Sequence, residues 1–208
     1  MTNEMESLLA TCFSQSAELE GYGSNELIGI AENLCSETEK LSEIYVSVHE
    51  GTSLEDSPLG IQQMAEEYRF PDSELLFGKR EFLCFLSIII DSFEEILPLG
   101  TVVDLKKEHL RNKLPVDKIE NVRIIITHRF LHNPKERFYF PYAGVVYPLG
   151  SMGEERTLHF TSPFIETVVH KGYSDEQETA FVLMMKHELL CNRRLRSYSF
   201  ATKEDVKK

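Results

Sequence analysis

The spacing of apolar residues changes at Pro98, and that change limits the folds open to this chain more than any other feature. Before Pro98 they recur every three to four residues, the repeat of an amphipathic helix; after it they alternate, the repeat of a half-buried strand. A run of helices followed by a run of strands predicts an α+β protein with the two kinds of element segregated. We read an acidic helical domain at 1–97, a bundle or hairpin, followed at 98–196 by a small curved antiparallel β-sheet or partial barrel with a C-terminal helix. Residues 197–208 read as a flexible tail. Charge divides at the same place: the first 97 residues carry 20 Asp/Glu against 4 Lys/Arg, and the remainder 14 against 18. Two modules with different surfaces, and so different jobs, are expected. With 42% hydrophobic residues among 208, the chain has the material for a core.

In the first half, Met5, Leu8, Leu9, Cys12, Phe13 and Leu19 fall largely on one helical stripe, and Gly21 and Gly23 end that helix. Ser24 is placed to cap the next. There Leu27, Ala31, Leu34, Thr38, Leu41, Tyr45 and Val48 recur at alternating spacings of four and three, a coiled-coil-like seam. Ile28, Cys35 and Ile44 widen the stripe, so it suits either the inside of a bundle or a helical contact with another chain. Ser57-Pro58 resembles a helix start, with Ile61, Met64, Ala65 and Tyr68 as its apolar face and Pro71 as its stop. Asp72 then caps a long segment reaching Leu97 that is apolar nearly all round, the mark of a central, buried helix. Its Ile88-Ile89-Ile90 run is β-branched, but the residues from Asp91 to Ile96 keep the helical period.

In the second half, strands are predicted at 102–106, 122–130, 137–147, 157–160 and 165–170. Pro141 and Gly144 mark an edge or bulge in the third of these, and Asn133-Pro134 turns the chain between the second and third. Ser174-Asp175-Glu176-Gln177 forms a capping box that opens a terminal helix through Phe181, Met184, Met185 and Leu189. Arg193, Arg194 and Arg196 suit its negative end, and the residues beyond Ser197 read as frayed.

The acidic start lacks the basic, then apolar, pattern of a secretory signal, so residence in the cytoplasm is expected. The longest apolar run, residues 82–90, is about half of the ~20 residues that cross a bilayer, which argues against direct membrane insertion. Cys12, Cys35, Cys84 and Cys191 are scattered, and free, mostly buried thiols are expected. His187-Glu188 begins a zinc-protease-like string, but Cys191 stands where its second histidine belongs. His128 and His132 flank a strand end, and His159 and His170 are isolated. No nucleophile elbow or dinucleotide fingerprint occurs, and Gly78-Lys79 lacks the loop glycine of a phosphate cradle. Glu66/Glu67 and Glu94/Glu95 fit solvated helix faces. We therefore expect no catalytic residue, no cofactor and no metal, and an acidity that opposes nucleic acid.

Three strings in the second half resemble a known pattern. They are Ile96-Leu97-Pro98-Leu99-Gly100-Thr101-Val102-Val103, Tyr142-Ala143-Gly144-Val145-Val146-Tyr147-Pro148-Leu149-Gly150, and His170-Lys171-Gly172-Tyr173 followed by Asp175-Glu176. Together they resemble a family catalogued as domain of unknown function 4176, over roughly residues 96–190. Leu149 stands where the family carries an acidic residue, and residues 107–120 insert a longer polar connection. The resemblance implies a small protein encoded beside LXG toxins of Gram-positive type VII secretion systems. It implies a non-enzymatic accessory or targeting chaperone that binds the secreted toxin or its small helical partners, with the secretion ATPase as a further candidate partner. The alternative is an immunity protein that neutralises the toxin domain. Gly100 and Gly150 fit tight turns, Gly144 a bulge, and Gly172 a positive φ before the last helix. The residues expected to meet a partner are Tyr142, Tyr147, Pro148 and Tyr173 as an aromatic surface, and Leu27, Leu34, Leu41, Tyr45 and Val48 as a helical seam.

Overall fold

The protein is described by a computed structural model over residues 1–54, 57–107, 122–151 and 157–201. Its backbone divides into two compact units, Met1–Glu94 with Lys186–Arg194, and Glu95–Met185 with Leu195–Lys208. The division at Pro98 read from the sequence puts residues 186–194 in the second module, whereas the backbone groups them with the first.

The first unit is built on an apolar helix. Its elements are α1 (Asn3–Gln15), α2 (Ser24–Leu34), α3 (Thr38–Glu50), a small antiparallel sheet of β1 (Gln62–Met64), β2 (Glu67–Arg69) and β3 (Phe77–Gly78), and α4 (Lys79–Phe93). Thr2 caps α1 by accepting the Met5 N–H at 3.3 Å. Gly51, at φ +79°, closes α3. As its all-round apolar pattern predicts, α4 is the centre: Phe82, Phe85, Leu86, Ile88 and Ile89 are fully buried. Aromatic rings gather on it, Tyr68 stacking on Phe82 at 4.5 Å and Phe13 on Phe85 at 5.4 Å. The β-branched run Ile88-Ile89-Ile90 is helical.

Three expectations for this unit are corrected. The seam from Leu27 to Val48 is not one helix: α2 ends at Leu34, the Glu37 N–H closes a turn on the Leu34 carbonyl at 3.0 Å, and α3 starts afresh. The helix expected after Ser57-Pro58 is a single turn, closed by the Gly60 N–H on the Ser57 carbonyl, followed by the β1–β2 hairpin with Ala65 at φ +58°. Asp72 does not cap a helix; at φ +58° it turns the chain, and α4 begins seven residues later at Lys79. Tertiary packing decides both of the latter cases, because Tyr68, Phe70 and Phe77 reach the rings of α4 only from extended backbone.

The second unit holds β4 (Val102–Leu105), β5 (Val122–His132), β6 (Phe138–Val146), β7 (Leu158–Phe160), β8 (Ile165–His170), α5 (Glu176–Lys186, whose last residue belongs to the first unit) and β9 (Arg196–Ser197). The sheet order is β7-β6-β5-β4-β8, all antiparallel neighbours, and β9 runs parallel beside β6. The sheet is open, so the antiparallel-sheet expectation holds and the barrel does not form. Asp175 caps α5 through its carboxylate, which accepts the Glu178 N–H at 2.9 Å. Residues 197–201 are not frayed: Ser197 pairs with Tyr139, and Tyr198 stacks on Phe140 at 4.5 Å. The expected polar insertion, from residue 108 onward, and the tail from 202 lie outside the described residues.

Beyond α5 the chain continues as a π-helical turn, His187–Asn192, which buries Leu189, Leu190 and Cys191 in the first unit. Cys191 Sγ lies 3.2 Å from Cys12 Sγ. Of the three arginines expected to neutralise a helix end, Arg193 pairs with Glu188 at 2.8 Å and Arg196 belongs to β9.

Candidate docking surface

In the second unit the three sequence strings meet. Leu97 N–H donates to the Tyr142 hydroxyl at 3.1 Å, and that hydroxyl donates to the Glu95 carbonyl at 3.3 Å. Tyr142 is fully buried and stacks on Phe160 at 5.4 Å, so it braces the fold and is not the docking residue expected from sequence. Thr101, also fully buried, donates its hydroxyl to the Pro98 carbonyl at 2.7 Å and accepts the Gly172 N–H at 3.0 Å. Gly172 is glycine for closeness, not for a positive φ as expected: an added Cβ would collide with the Leu99 carbonyl oxygen. Gly144 meets the same demand, facing the Ile125 carbonyl beside the register slip that follows Ile126 on β5.

Arg129, which the sequence reading did not single out, completes this brace. Its guanidinium forms a two-pronged ion pair with Glu178, with Nη2 to Oε2 at 3.1 Å, and lies 5.7 Å from the Phe181 ring centroid. Its side chain is only 5% exposed. No sequence signal sets it apart, since Arg123 and Thr127 share its side of the β5 alternation; only the burial of its side chain marks it as a position that demands a partner.

With the polar groups committed inward, the same strings present apolar side chains outward. Tyr173 is 81% exposed, Leu149 61% and Tyr147 51%. Pro148, joined to Tyr147 by a cis peptide bond, is exposed beside them. Leu99, whose carbonyl lies against Gly172, is likewise half exposed. Tyr147 hangs its N–H on the Arg123 carbonyl at 2.8 Å. Arg123 in turn holds Asp104 through Nε and Nη2 at 2.8 and 2.9 Å, and that bonding raises the guanidinium pKa further. Val102, Ile125 and Val145 lie in register beside this ion pair as a half-buried apolar row. Among the described residues, β8 pairs only with β4 at one edge of the sheet, and its residues from Glu166 to His170 are exposed.

The helical seam turns the other way. Leu27, Leu34, Leu41 and Val48 are buried inside the first unit, and Tyr45 is half-buried with its ring 6.1 Å from His49. Of the two readings of that stripe, the intramolecular bundle is the one the burial shows. The first unit instead carries a cleft of about 660 Å³ along α2, walled on the other side by residues 70–75. Among the described residues no group of three or more His, Cys, Asp or Glu is placed to hold a metal ion. Among them too, no helix is long and apolar enough to cross a membrane. No curated protein and no solved structure matches the chain. Residues 96–181, the segment in which the interlocked strings lie, match the family model described as Domain of unknown function (DUF4176).

Proposed function

We propose that the protein is a non-enzymatic adaptor that binds an LXG-type toxin or its small helical partners and directs them to type VII secretion. The observation that carries this reading is the division of labour within the matched segment. Tyr142, Thr101 and Arg129 use their polar groups on the fold itself, while Tyr147, Leu149 and Tyr173 are held outward on a braced frame. Rigid, exposed tyrosines bury much area at small entropic cost and keep a hydroxyl for a partner, which suits binding rather than turnover. The role in secretion comes from the family resemblance. Acidity of the first 97 residues, 20 carboxylates against 4 cations, also fits inhibition of a basic toxin site, the immunity reading.

Co-purification with separated toxin fragments decides between them. Capture of the N-terminal LXG segment, weakened at least about tenfold by Tyr147→Ala combined with Tyr173→Ala, is the expected result. Capture and silencing of the C-terminal toxin domain instead would replace delivery by inhibition. Capture of neither fragment, and of none of the small helical partners, overturns both.

A further inference from the structure

The cleft of the first unit lies outside the matched family segment and shares no residue with the surface described above. Its lining mixes polar and apolar groups: Ile30, Leu34 and Phe70 are buried there and Leu75 is half-buried, beside the polar side chains of Asn33 and Ser73. Its rim is acidic. Asp72 and Glu74 are exposed on one side and Glu26 on the other, and among the described residues no Lys, Arg or His lines it. Glu37, also in the lining, is tied to Lys40 at 2.6 Å, which leaves Glu26, Asp72 and Glu74 to carry the charge of the rim.

Gly29 adds an independent observation. A glycine inside a helix lowers its stability relative to alanine, so packing usually has to demand it. Here nothing does, since an added Cβ would meet no atom within 4 Å. Gly29 lines the cleft, and the absence of a side chain there keeps its α2 wall open.

We propose that this cleft takes a basic amphipathic helix from a partner protein, its apolar side chains against Ile30, Leu34 and Phe70 and its lysines or arginines at the rim. From Glu26 to Leu34 the wall runs about 12 Å along α2, two turns of a helix lying alongside it. A second copy of this chain is disfavoured as the occupant, because its formal net charge of −12 repels the acidic rim. The inference does not rest on the secretion role, and a model peptide tests it alone.

The probe is a fluorescent Leu/Lys amphipathic peptide titrated with the full-length protein and read by anisotropy. Peptides with Ser in place of Leu, or Glu in place of Lys, are the comparisons. The Leu/Lys peptide is expected to bind at least about tenfold tighter than either, with an affinity that weakens as salt rises. Gly29→Leu, which fills open space with a better helix former, is expected to keep or raise the melting temperature and to lose binding at least about tenfold. Asp72→Lys with Glu74→Lys is expected to do the same, while Glu39→Lys, on the exposed face of α3, leaves affinity within about twofold. Equal binding of the Ser/Lys peptide would reduce the effect to plain charge attraction and overturn the proposal. Undiminished binding by a folded Gly29→Leu protein would place the peptide elsewhere and overturn it equally.

Discussion

Lys186 places an ammonium group in the interior of the first unit, 6% exposed, where it donates to the carbonyls of Ser92 at 2.7 Å and Glu94 at 2.6 Å. Those carbonyls stand at the C-terminal end of α4, which a cation suits. Burial nevertheless costs the charged form more than Glu94 and Asp91 return, and lowers the lysine pKa from 10.5 to about 8. A lowered pKa means that the unfolded chain holds the proton more tightly than the folded one. Below pH 8 both states are protonated and the folded state bears the whole cost, about 3 kcal/mol at most. Between pH 8 and 10.5 the folded state sheds its proton first, so stability rises with pH. Tyr22 and Tyr68 act in the opposite sense, since burial raises their pKa above the phenol value of 10, and they matter only as that pH is approached. Urea denaturation between pH 7.5 and about 9.5 is therefore expected to give a rising midpoint, and Lys186→Met to flatten the rise. A wild-type midpoint that stays level or falls over that range would contradict the burial of the charge.

At the scale of elements, two glycines separate packing from propensity. Gly172→Ala forces the Leu99 carbonyl aside and is expected to cost about 1–3 kcal/mol, whereas Gly29→Ala meets open space in mid-helix and is expected to gain about 0.5–1 kcal/mol. Thermal melts of the two variants check both signs. Which elements were legible beforehand follows the same distinction between local and tertiary causes. The period of α4 and the alternation of β5 and β6 are properties of the local string: the two strands appear within about two residues of their expected bounds, whereas α4, expected over 72–97, is shorter at both ends and spans Lys79–Phe93. The hairpin at 62–69 was not legible, because Ile61 and Tyr68, seven apart, fit one helix face as well as the two ends of a hairpin. Only contact with Phe82 chooses the hairpin, and its turn at Ala65 lacks the glycine or asparagine that announces one. The break after Leu34 had a signal in Ser36 and Thr38, poor residues for a helix interior, which the continuing apolar period masked. For the surface, Tyr147, Pro148 and Tyr173 were found as motif residues, and all three are exposed. Tyr142 was misplaced because an aromatic in an alternating strand does not declare which face is covered. The cleft was invisible because its walls come from segments some forty residues apart.

For the whole molecule, what matters is that the chain leaves the first unit at Glu94 and returns to it at Lys186. A fragment that ends at Leu97 lacks Leu189, Leu190 and Cys191, all nearly inaccessible in the complete chain. It also lacks the thiol that donates to the Leu8 carbonyl at 3.6 Å and the ammonium group that closes the end of α4. Burying a Leu contributes about 1.5–3 kcal/mol, so two of them, with the lost carbonyl partners, approach the total stability of a small domain. The fragment 1–97 is therefore expected to bind a hydrophobic dye and to melt without a sharp transition. A chimera that rejoins residues 186–194 through a Gly/Ser linker is expected to exclude the dye and melt cooperatively. Equal melting of the two would mean that the returning segment adds nothing to the first unit. The result also governs how partners are sought: cutting at the charge boundary exposes the apolar surface that the π-helical turn covers. A protein captured by that fragment would then report the cut, and the titrations of the acidic cleft belong with the full chain.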